Sequence, residues 1–262
     1  MTNRIPSNYV GVWKRSKLRR GASPWDLTTR VFWLQTPYWH ADIRIPADRP
    51  DFSGVCSLKE CSPEQLQALL QQEAFCGFTT VEDDVCRWLR QIDYRLRETD
   101  DFGQMRFTGN DVEEIGIATD YYELWHKLPD SVGQSFALER IQNSGDEHQQ
   151  AYLCVAGGYF IYSRNRGMWT SPAVRARRKI EGGTASRAEI EAFVDFESSF
   201  GTIEEGIGRI EMSTLPWREG EIAFDLNDLA MEIASVPSAT VRKGWRLIPG
   251  SGEFPLSNVR AA

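Results

Sequence analysis

Two stretches of the chain align without a gap: SPEQLQALLQQEAFCG (62–77) and SRAEIEAFVDFESSFG (186–201). Serine, alanine, glutamate and glycine coincide at the same four positions, and most apolar positions in one stretch meet an apolar position in the other. A long-range repeat of this kind indicates that one structural unit occurs twice. The chain is therefore predicted to contain two related lobes.

Both stretches begin with the signature of a helix N-terminus. Ser62 is followed three residues later by Gln65, and Ser186 by Glu189, which is the spacing of a capping box. In that motif the two side chains bond backbone amides that the first helical turn leaves without partners. We expect one helix to be inserted at the same place in each lobe.

Short alternating or β-branched and aromatic runs surround these helices, and turn residues separate them. Such runs are typical of antiparallel strands. The similarity also extends outward, because Asn110-Asp111 corresponds to Asn227-Asp228 and Trp125 to Trp245. The sequence predicts eight strands in each lobe, enough to close a small barrel, at 9–18, 28–35, 38–45, 74–81, 85–94, 103–108, 111–117 and 121–128, and at 135–142, 150–156, 159–165, 198–204, 207–214, 220–225, 228–234 and 239–248.

Two short motifs resemble those of lipocalins and the wider calycin superfamily: Gly11-Val12-Trp13 at the first strand, and Thr119-Asp120-Tyr121. The resemblance implies a mainly β fold of two tandem lipocalin-like antiparallel β-barrels. The linker at 128–133 divides the chain into lobes at 1–130 and 131–262, and the Gly-, Pro- and Ser-rich composition of 249–262 predicts a flexible C-terminal tail or a strap across a lobe. It also implies that Trp13 plugs one barrel end and that a barrel holds a cavity. Tandem proteins of this kind include ligand carriers, uncharacterised bacterial and fungal proteins, and a few hydratases and cyclases.

Composition excludes several classes of function. The net charge of −7 disfavours a general nucleic-acid binder, since neutralising phosphates requires a basic face. No apolar run is long enough for a membrane span or a signal peptide, so the expected compartment is the cytoplasm. Five cysteines without a CxxC pair and three scattered histidines predict neither a disulfide framework nor a metal site, and no cofactor-binding motif is present.

A candidate ligand site lies in the first lobe. Period-two alternation in the strand 85–94 places Arg90 on one face with Cys86, Trp88, Ile92 and Tyr94. In the strand 121–128 it places Tyr122 on one face with His126. An arginine and a histidine on apolar faces are suited to binding an anionic group of a ligand. Alternatively, Arg90 pairs with a carboxylate such as Glu114 or extends to the edge of the barrel. The predicted ligand-binding residues are Trp13, Trp88, Arg90, Tyr122 and His126.

The strand 38–45 carries the densest group of catalytic residue types. Tyr38, His40, Asp42 and Arg44 share one face, so His40 and Asp42 are a candidate acid/base pair. The alternative is an outer face that contacts water. The predicted catalytic residues are His40, Asp42, Arg90 and His126.

Three functions follow in order of preference. The first is binding of a small, largely apolar or aromatic ligand in the first barrel, with no nucleic-acid partner. The second is a cofactor-independent isomerase, hydratase or cyclase that uses acid/base chemistry. The third is a rigid platform for protein partners. Glu73 is assigned a structural role, because Glu197 repeats it.

Overall fold

The computed structural model describes residues 4–99, 101–141, 150–234 and 244–255. The first lobe is a closed antiparallel barrel of eight strands in sequential order, and the last strand pairs with the first. All eight strands lie where the sequence predicts them: β1 (Gly11–Arg20), β2 (Arg30–Gln35), β3 (Trp39–Ile45), β4 (Glu73–Glu82), β5 (Val85–Asp93), β6 (Asp101–Thr108), β7 (Asp111–Gly116) and β8 (Tyr121–Lys127). Helix α1 (Pro63–Leu69) connects β3 to β4.

The second lobe is a curled sheet of seven strands in the order β14-β13-β12-β11-β10-β9-β15, and it does not close. Its strands are β9 (Ser135–Ile141), β10 (Ala151–Ala156), β11 (Tyr159–Arg164), β12 (Glu197–Glu204), β13 (Ile207–Ser213), β14 (Ile222–Asp225) and β15 (Gly244–Leu247). Its helices are α2 (Thr170–Glu181), α3 (Arg187–Val194) and α4 (Leu226–Ala234). The mainly β fold is confirmed, and the second lobe is a half-barrel with more than the one helix expected.

The predicted strand at 228–234 is wrong, because this segment forms α4. Its apolar residues Leu226, Leu229, Ala230 and Ile233 follow the i, i+3, i+4, i+7 pattern of a helix. A helix at this position leaves the sheet without the strand that would complete a barrel. Of the predicted C-terminal tail, residues 249–255 are described and carry no regular secondary structure, whereas 256–262 lie outside the described residues.

The two aligned stretches adopt the same local structure. Both α1 and α3 begin with a complete capping box, on Ser62 and Ser186. Each helix leads into a strand that carries a β-bulge, where Gly77 and Gly201 occupy equivalent positions. A Cβ at either glycine would lie within 2.0 Å of a carbonyl oxygen on the neighbouring strand, so the bulge requires glycine. The repeat in the sequence is thus a repeat in structure.

The two lobes pack through the outer apolar face of the closed barrel. Trp39 of β3 contacts Tyr152 with 5.0 Å between ring centroids, and Phe32 of β2 stacks on Phe200 at 4.0 Å. Ala41, Ile43 and Ile45 are fully buried in the same apolar cluster. The outer face of the barrel near β2 and β3 is therefore covered by protein rather than water.

The N-terminal segment closes one end of the barrel. The Trp13 indole donates a hydrogen bond to the carbonyl of Tyr9 (2.8 Å), and the Tyr9 ring contacts Phe107 at 4.5 Å. Ile5 and Tyr9 belong to the apolar cluster inside the barrel. At the opposite end, where β1 ends and β8 begins, the described residues enclose a cavity. In the described parts of the chain no helix has the length and apolarity that a bilayer crossing requires, and no group of side chains is arranged to hold a metal ion.

Candidate functional site

The polar face of β3 points into the barrel. Its apolar residues contact the second lobe, so alternation turns His40, Asp42 and Arg44 towards the interior. His40 is fully buried and Asp42 is 2% exposed. The expectation that this face contacts water is wrong, because the second lobe covers the outer surface of the strand.

His40 belongs to a buried chain of hydrogen bonds. Its Nδ1 contacts Thr79 Oγ1 at 3.0 Å, and that hydroxyl donates to Gln35 Oε1 at 2.8 Å. Because the Thr79 proton is used on Gln35, Nδ1 of His40 is the protonated nitrogen and Nε2 carries a lone pair, which has no partner among the described residues. Burial, and then the charge of Arg90, lower the pKa of His40 to about 3. His40 and Asp42 do not bond each other, so the predicted acid/base pair is not formed.

Arg90 also points inward, but its surroundings differ from the prediction. The bulge opposite Gly77 shifts the alternation, so Arg90 shares the inner face with Cys86 and Trp88, whereas Ile92 and Tyr94 face the second lobe. The guanidinium bonds Asp93 (3.1 Å) and Asp101 (2.5 Å) rather than Glu114, and it lies over the Phe75 ring at 4.4 Å. Its equivalent in the second lobe is Ile210, which pairs with Gly201 as Arg90 pairs with Gly77.

The inward placement of Tyr122 and His126 is wrong. On β8 the buried, inward residues are Glu123 and Trp125, and alternation places Tyr122 and His126 outside. The Tyr122 hydroxyl donates to Glu113 (2.6 Å), and exposed His126 bonds Asp111 (2.6 Å). Neither residue contributes to the barrel interior.

The closed half of the barrel is filled by tryptophan rings. The Trp33 indole lies 5.9 Å from Trp13, 5.5 Å from Trp88 and 5.9 Å from Trp125, measured between ring centroids. All four are at most 5% exposed. Trp13 and Trp88 face inward as predicted, and they pack against neighbouring side chains.

The open half of the barrel contains a cavity of about 240 Å³. Its walls are polar and charged, in contrast to the tryptophan-filled half. The lining residues come from several strands and loops at this end: Arg20, Arg44, Arg97, Asp101, Glu114, Thr119, Tyr121 and Glu123. We refer to this cavity as the barrel mouth.

Most charges at the barrel mouth are already compensated. Four arginines in or beside the barrel mouth each bond a carboxylate, and the pairs are Arg15 with Glu123 (2.9 Å), Arg44 with Asp42 (2.7 Å), Arg90 with Asp101 (2.5 Å) and Arg97 with Glu73 (2.6 Å). Arg20 at the outer edge forms no ion pair with a described residue. Although burial opposes it, the charges of Arg44 and Arg97 lower the pKa of Glu73 to about 2. Glu73 and Glu197 both bond arginines, consistent with a structural role. A neutral ligand therefore suits the barrel mouth better than a strongly charged one.

Two buried carboxyl groups face each other across β7 and β8. Glu114 and Glu123 are directly opposite in the antiparallel register, which brings their Cβ atoms to about 5 Å. Glu114 accepts hydrogen bonds from the Tyr121 hydroxyl (2.7 Å) and the Trp125 indole (3.1 Å). Burial, and then the neighbouring Glu123 and Asp101, raise the pKa of Glu114 well above its usual value. Burial beside Glu123, which Arg15 bonds, thus favours the protonated form of Glu114.

One oxygen of this pair has no partner among the described residues. Glu123 Oε1 accepts from Arg15, whereas Oε2 is buried and accepts nothing. A buried carboxylate oxygen without a donor is costly, so a donor supplied by a ligand would be stabilising. Gly103 of β6 provides the room for this arrangement, because a Cβ there would lie 2.8 Å from Glu114 and 3.0 Å from the Tyr121 hydroxyl.

The sequence prediction missed the central residues of the barrel mouth. Tyr121 was part of the Thr119-Asp120-Tyr121 motif, but Glu123 was not singled out and Glu114 was considered only as a partner of Arg90. The signal was present: Tyr121, Glu123 and Trp125 alternate along β8, and Glu114 precedes the short turn, 117–120, that sets its register with them.

Comparisons with known proteins provide a fold and no function. No protein-family model matches the chain, and no curated protein matches its sequence. The crystal structure of the uncharacterized protein YLR301w from Saccharomyces cerevisiae is similar, with a TM-score of 0.50 at 9% identity, covering 91% of this chain and 97% of that chain. At this identity the similarity concerns the fold alone.

Proposed function

We propose that this chain binds a small, neutral, hydroxyl-bearing molecule at the barrel mouth. The observation that carries the proposal is Glu123 Oε2, a buried carboxylate oxygen of a residue that lines a cavity of about 240 Å³, with no donor in the described residues. A ligand hydroxyl would donate to it, and Glu114, whose raised pKa favours the protonated form, would donate to the ligand in turn. The charged walls favour such a ligand over the apolar or aromatic one that the sequence predicts.

The cavity limits the size of the ligand. A volume of about 240 Å³ lies just below the usual range of ligand pockets, so the molecule has the size of a monosaccharide or a small polyol. The tryptophan-filled half prevents a longer molecule from extending down the barrel axis.

NMR titration tests the binding proposal. Amide spectra of the ¹⁵N-labelled protein are recorded with glycerol, glucose and inositol, and with phenol and indole as apolar probes. We expect a hydroxylated probe to shift the signals of Tyr121 and Glu123, and E123Q to remove the shifts. The matched control is E113Q, which changes an outward carboxylate on β7 and leaves the shifts in place. Shifts confined to residues near Trp33 and Trp88, or unchanged in E123Q, would contradict the proposal.

The second candidate is a cofactor-independent enzyme of isomerase, hydratase or cyclase type. The specific observation is a buried pair of facing carboxyl groups in which the pKa of Glu114 is raised and Glu123 is bonded by Arg15. Two carboxyl groups in different environments can supply both an acid and a base at one site. In this version Glu114 is the acid and Glu123 the base, in place of His40, Asp42, Arg90 and His126. The assay is proton exchange at carbon: a bound probe incubated in D₂O acquires deuterium with the wild type and not with E114Q or E123Q. Equal incorporation in all three would exclude this candidate.

A further inference from the structure

Three exposed apolar side chains lie at the rim of the barrel mouth. Trp25 (40% exposed) and Leu27 (65%) belong to the β1–β2 loop, and Ile117 (51%) belongs to the β7–β8 loop. The two loops are adjacent, because the amide of Gly21 donates to the carbonyl of Asp120 at 2.9 Å. We call these two segments, residues 21–29 and 117–120, the rim. Large apolar groups exposed together at one end of a barrel mark a contact surface.

Unpaired cations surround the apolar groups. Lys17, Arg19 and Arg20 lie at the end of β1 and Arg30 lies at the start of β2, and none of the four forms an ion pair with a described residue. Of the two acids in the rim, Asp26 is occupied, since it bonds Arg15 at 2.6 Å, and Asp120 is outnumbered by the four cations. The chain as a whole carries a net charge of −7, so this end differs in sign from the average surface. A partner of the rim is therefore expected to be anionic.

The Trp25 ring is held in place by these cations. Lys17 Nζ lies 5.1 Å and the Arg19 guanidinium 4.7 Å from its centroid, and the edge of the Tyr122 ring approaches at 5.9 Å. A tryptophan with cations beside it is the combination found at membrane interfaces, where the indole lies among headgroups and the charges meet phosphates. Stacking of a nucleic-acid base on Trp25 would compete with the two cations that lie over its ring.

We propose that the rim docks this chain on an anionic lipid surface. Leu27, Ile117 and Trp25 enter the headgroup region, and Lys17, Arg19, Arg20 and Arg30 contact lipid phosphates and carboxylates. Arg20 and Thr119 also line the barrel mouth, so the cavity opens towards the lipid headgroups in the docked state. The docking is peripheral and uses the rim and the strand ends beside it.

Vesicle co-sedimentation of the full chain tests this proposal. The probes are vesicles of phosphatidylcholine alone and of phosphatidylcholine with phosphatidylserine, at low and physiological salt. We expect the protein to sediment with the anionic vesicles and to be released by salt. The K17Q/R19Q variant should bind these vesicles about 30-fold more weakly, at about fivefold for each charge removed. The L27S/I117S variant should bind them at least about tenfold more weakly.

The matched control changes exposed apolar residues elsewhere. Val132 (71% exposed) and Ile222 (56%) lie outside the rim, so V132S/I222S should bind anionic vesicles as the wild type does. All variants replace exposed or half-buried side chains, and circular dichroism verifies that they fold. Equal loss in the control, equal binding to phosphatidylcholine alone, or binding to single-stranded RNA with none to vesicles would overturn the proposal.

Discussion

Replacing Glu114 by glutamine tests the electrostatic account of the barrel mouth. The pKa of Glu114 is raised by burial and by the charges of Glu123 and Asp101, so the native state holds a proton that the unfolded chain releases above pH 4.5. The native state then binds more protons than the unfolded state, and stability must fall as pH rises. The glutamine side chain in E114Q is neutral at every pH and removes this dependence, while its amide oxygen remains an acceptor for the Trp125 indole.

The size of the effect follows from the single proton involved. Between pH 4.5 and the raised pKa of Glu114, the wild type should lose about 1.4 kcal/mol per pH unit relative to E114Q. The difference in favour of E114Q accumulates from pH 4.5 up to the raised pKa of Glu114, and it is absent near pH 4. Urea denaturation of both proteins at pH 4 to 8 measures it. Glu113 lies on the outward face of the same strand, so the difference in stability between E113Q and the wild type should not change with pH.

A difference between E114Q and the wild type that stays constant with pH would refute the reasoning. It would mean that Glu114 is ionised in the native state and that Glu123 has no protonated neighbour. A variant less stable than the wild type at pH 8 would have the same meaning, since the loss of an ionised, well-bonded carboxylate destabilises.

Three further predictions concern other parts of the molecule. The G103A variant should be destabilised by about 1–3 kcal/mol in urea denaturation, because the added methyl collides with Glu114 and Tyr121. It should also lose the ligand-induced NMR shifts at the barrel mouth. Stability equal to that of the wild type would show that side chains at this end of the barrel are not closely packed. R166M should cost about 3 kcal/mol in the same assay, since buried Arg166 donates to the carbonyls of Phe193 (2.9 Å) and Tyr94 (2.7 Å) across the two lobes; a neutral effect would contradict that bridging role. The His40 ring should stay neutral and Nδ1-protonated at pH 5 in ¹⁵N NMR spectra, since its pKa is lowered to about 3. The stability of the wild type should therefore fall relative to that of H40Q as pH drops below 6.5. An imidazolium signal at pH 5 would contradict the burial of His40.

Local patterns in the sequence predicted the secondary structure of the first lobe well. All eight strands of the barrel and both capped helices were predicted, because alternation and capping depend on neighbouring residues only. The segment 228–234 was misassigned because it was matched to the other lobe, although its own apolar spacing was that of a helix. The second sheet accordingly has seven strands where eight were expected.

Strand facing was harder to predict, because it depends on parts of the chain far away in sequence. The apolar face of β3 was expected inside, but the second lobe covers it outside and leaves His40, Asp42 and Arg44 for the interior. The bulge opposite Gly77 then separates Arg90 from Ile92. Periodicity gives the two faces of a strand, and only tertiary packing decides which one faces inward.

The central claim is that Glu123 anchors a small hydroxyl-bearing molecule at the barrel mouth. Native mass spectrometry of the protein purified from its own host, as the wild type, E123Q and E113Q, tests it most directly. We expect one neutral small molecule per chain in the wild type and in E113Q, and its loss in E123Q. A bare mass for the wild type, or the same adduct in E123Q, would contradict it.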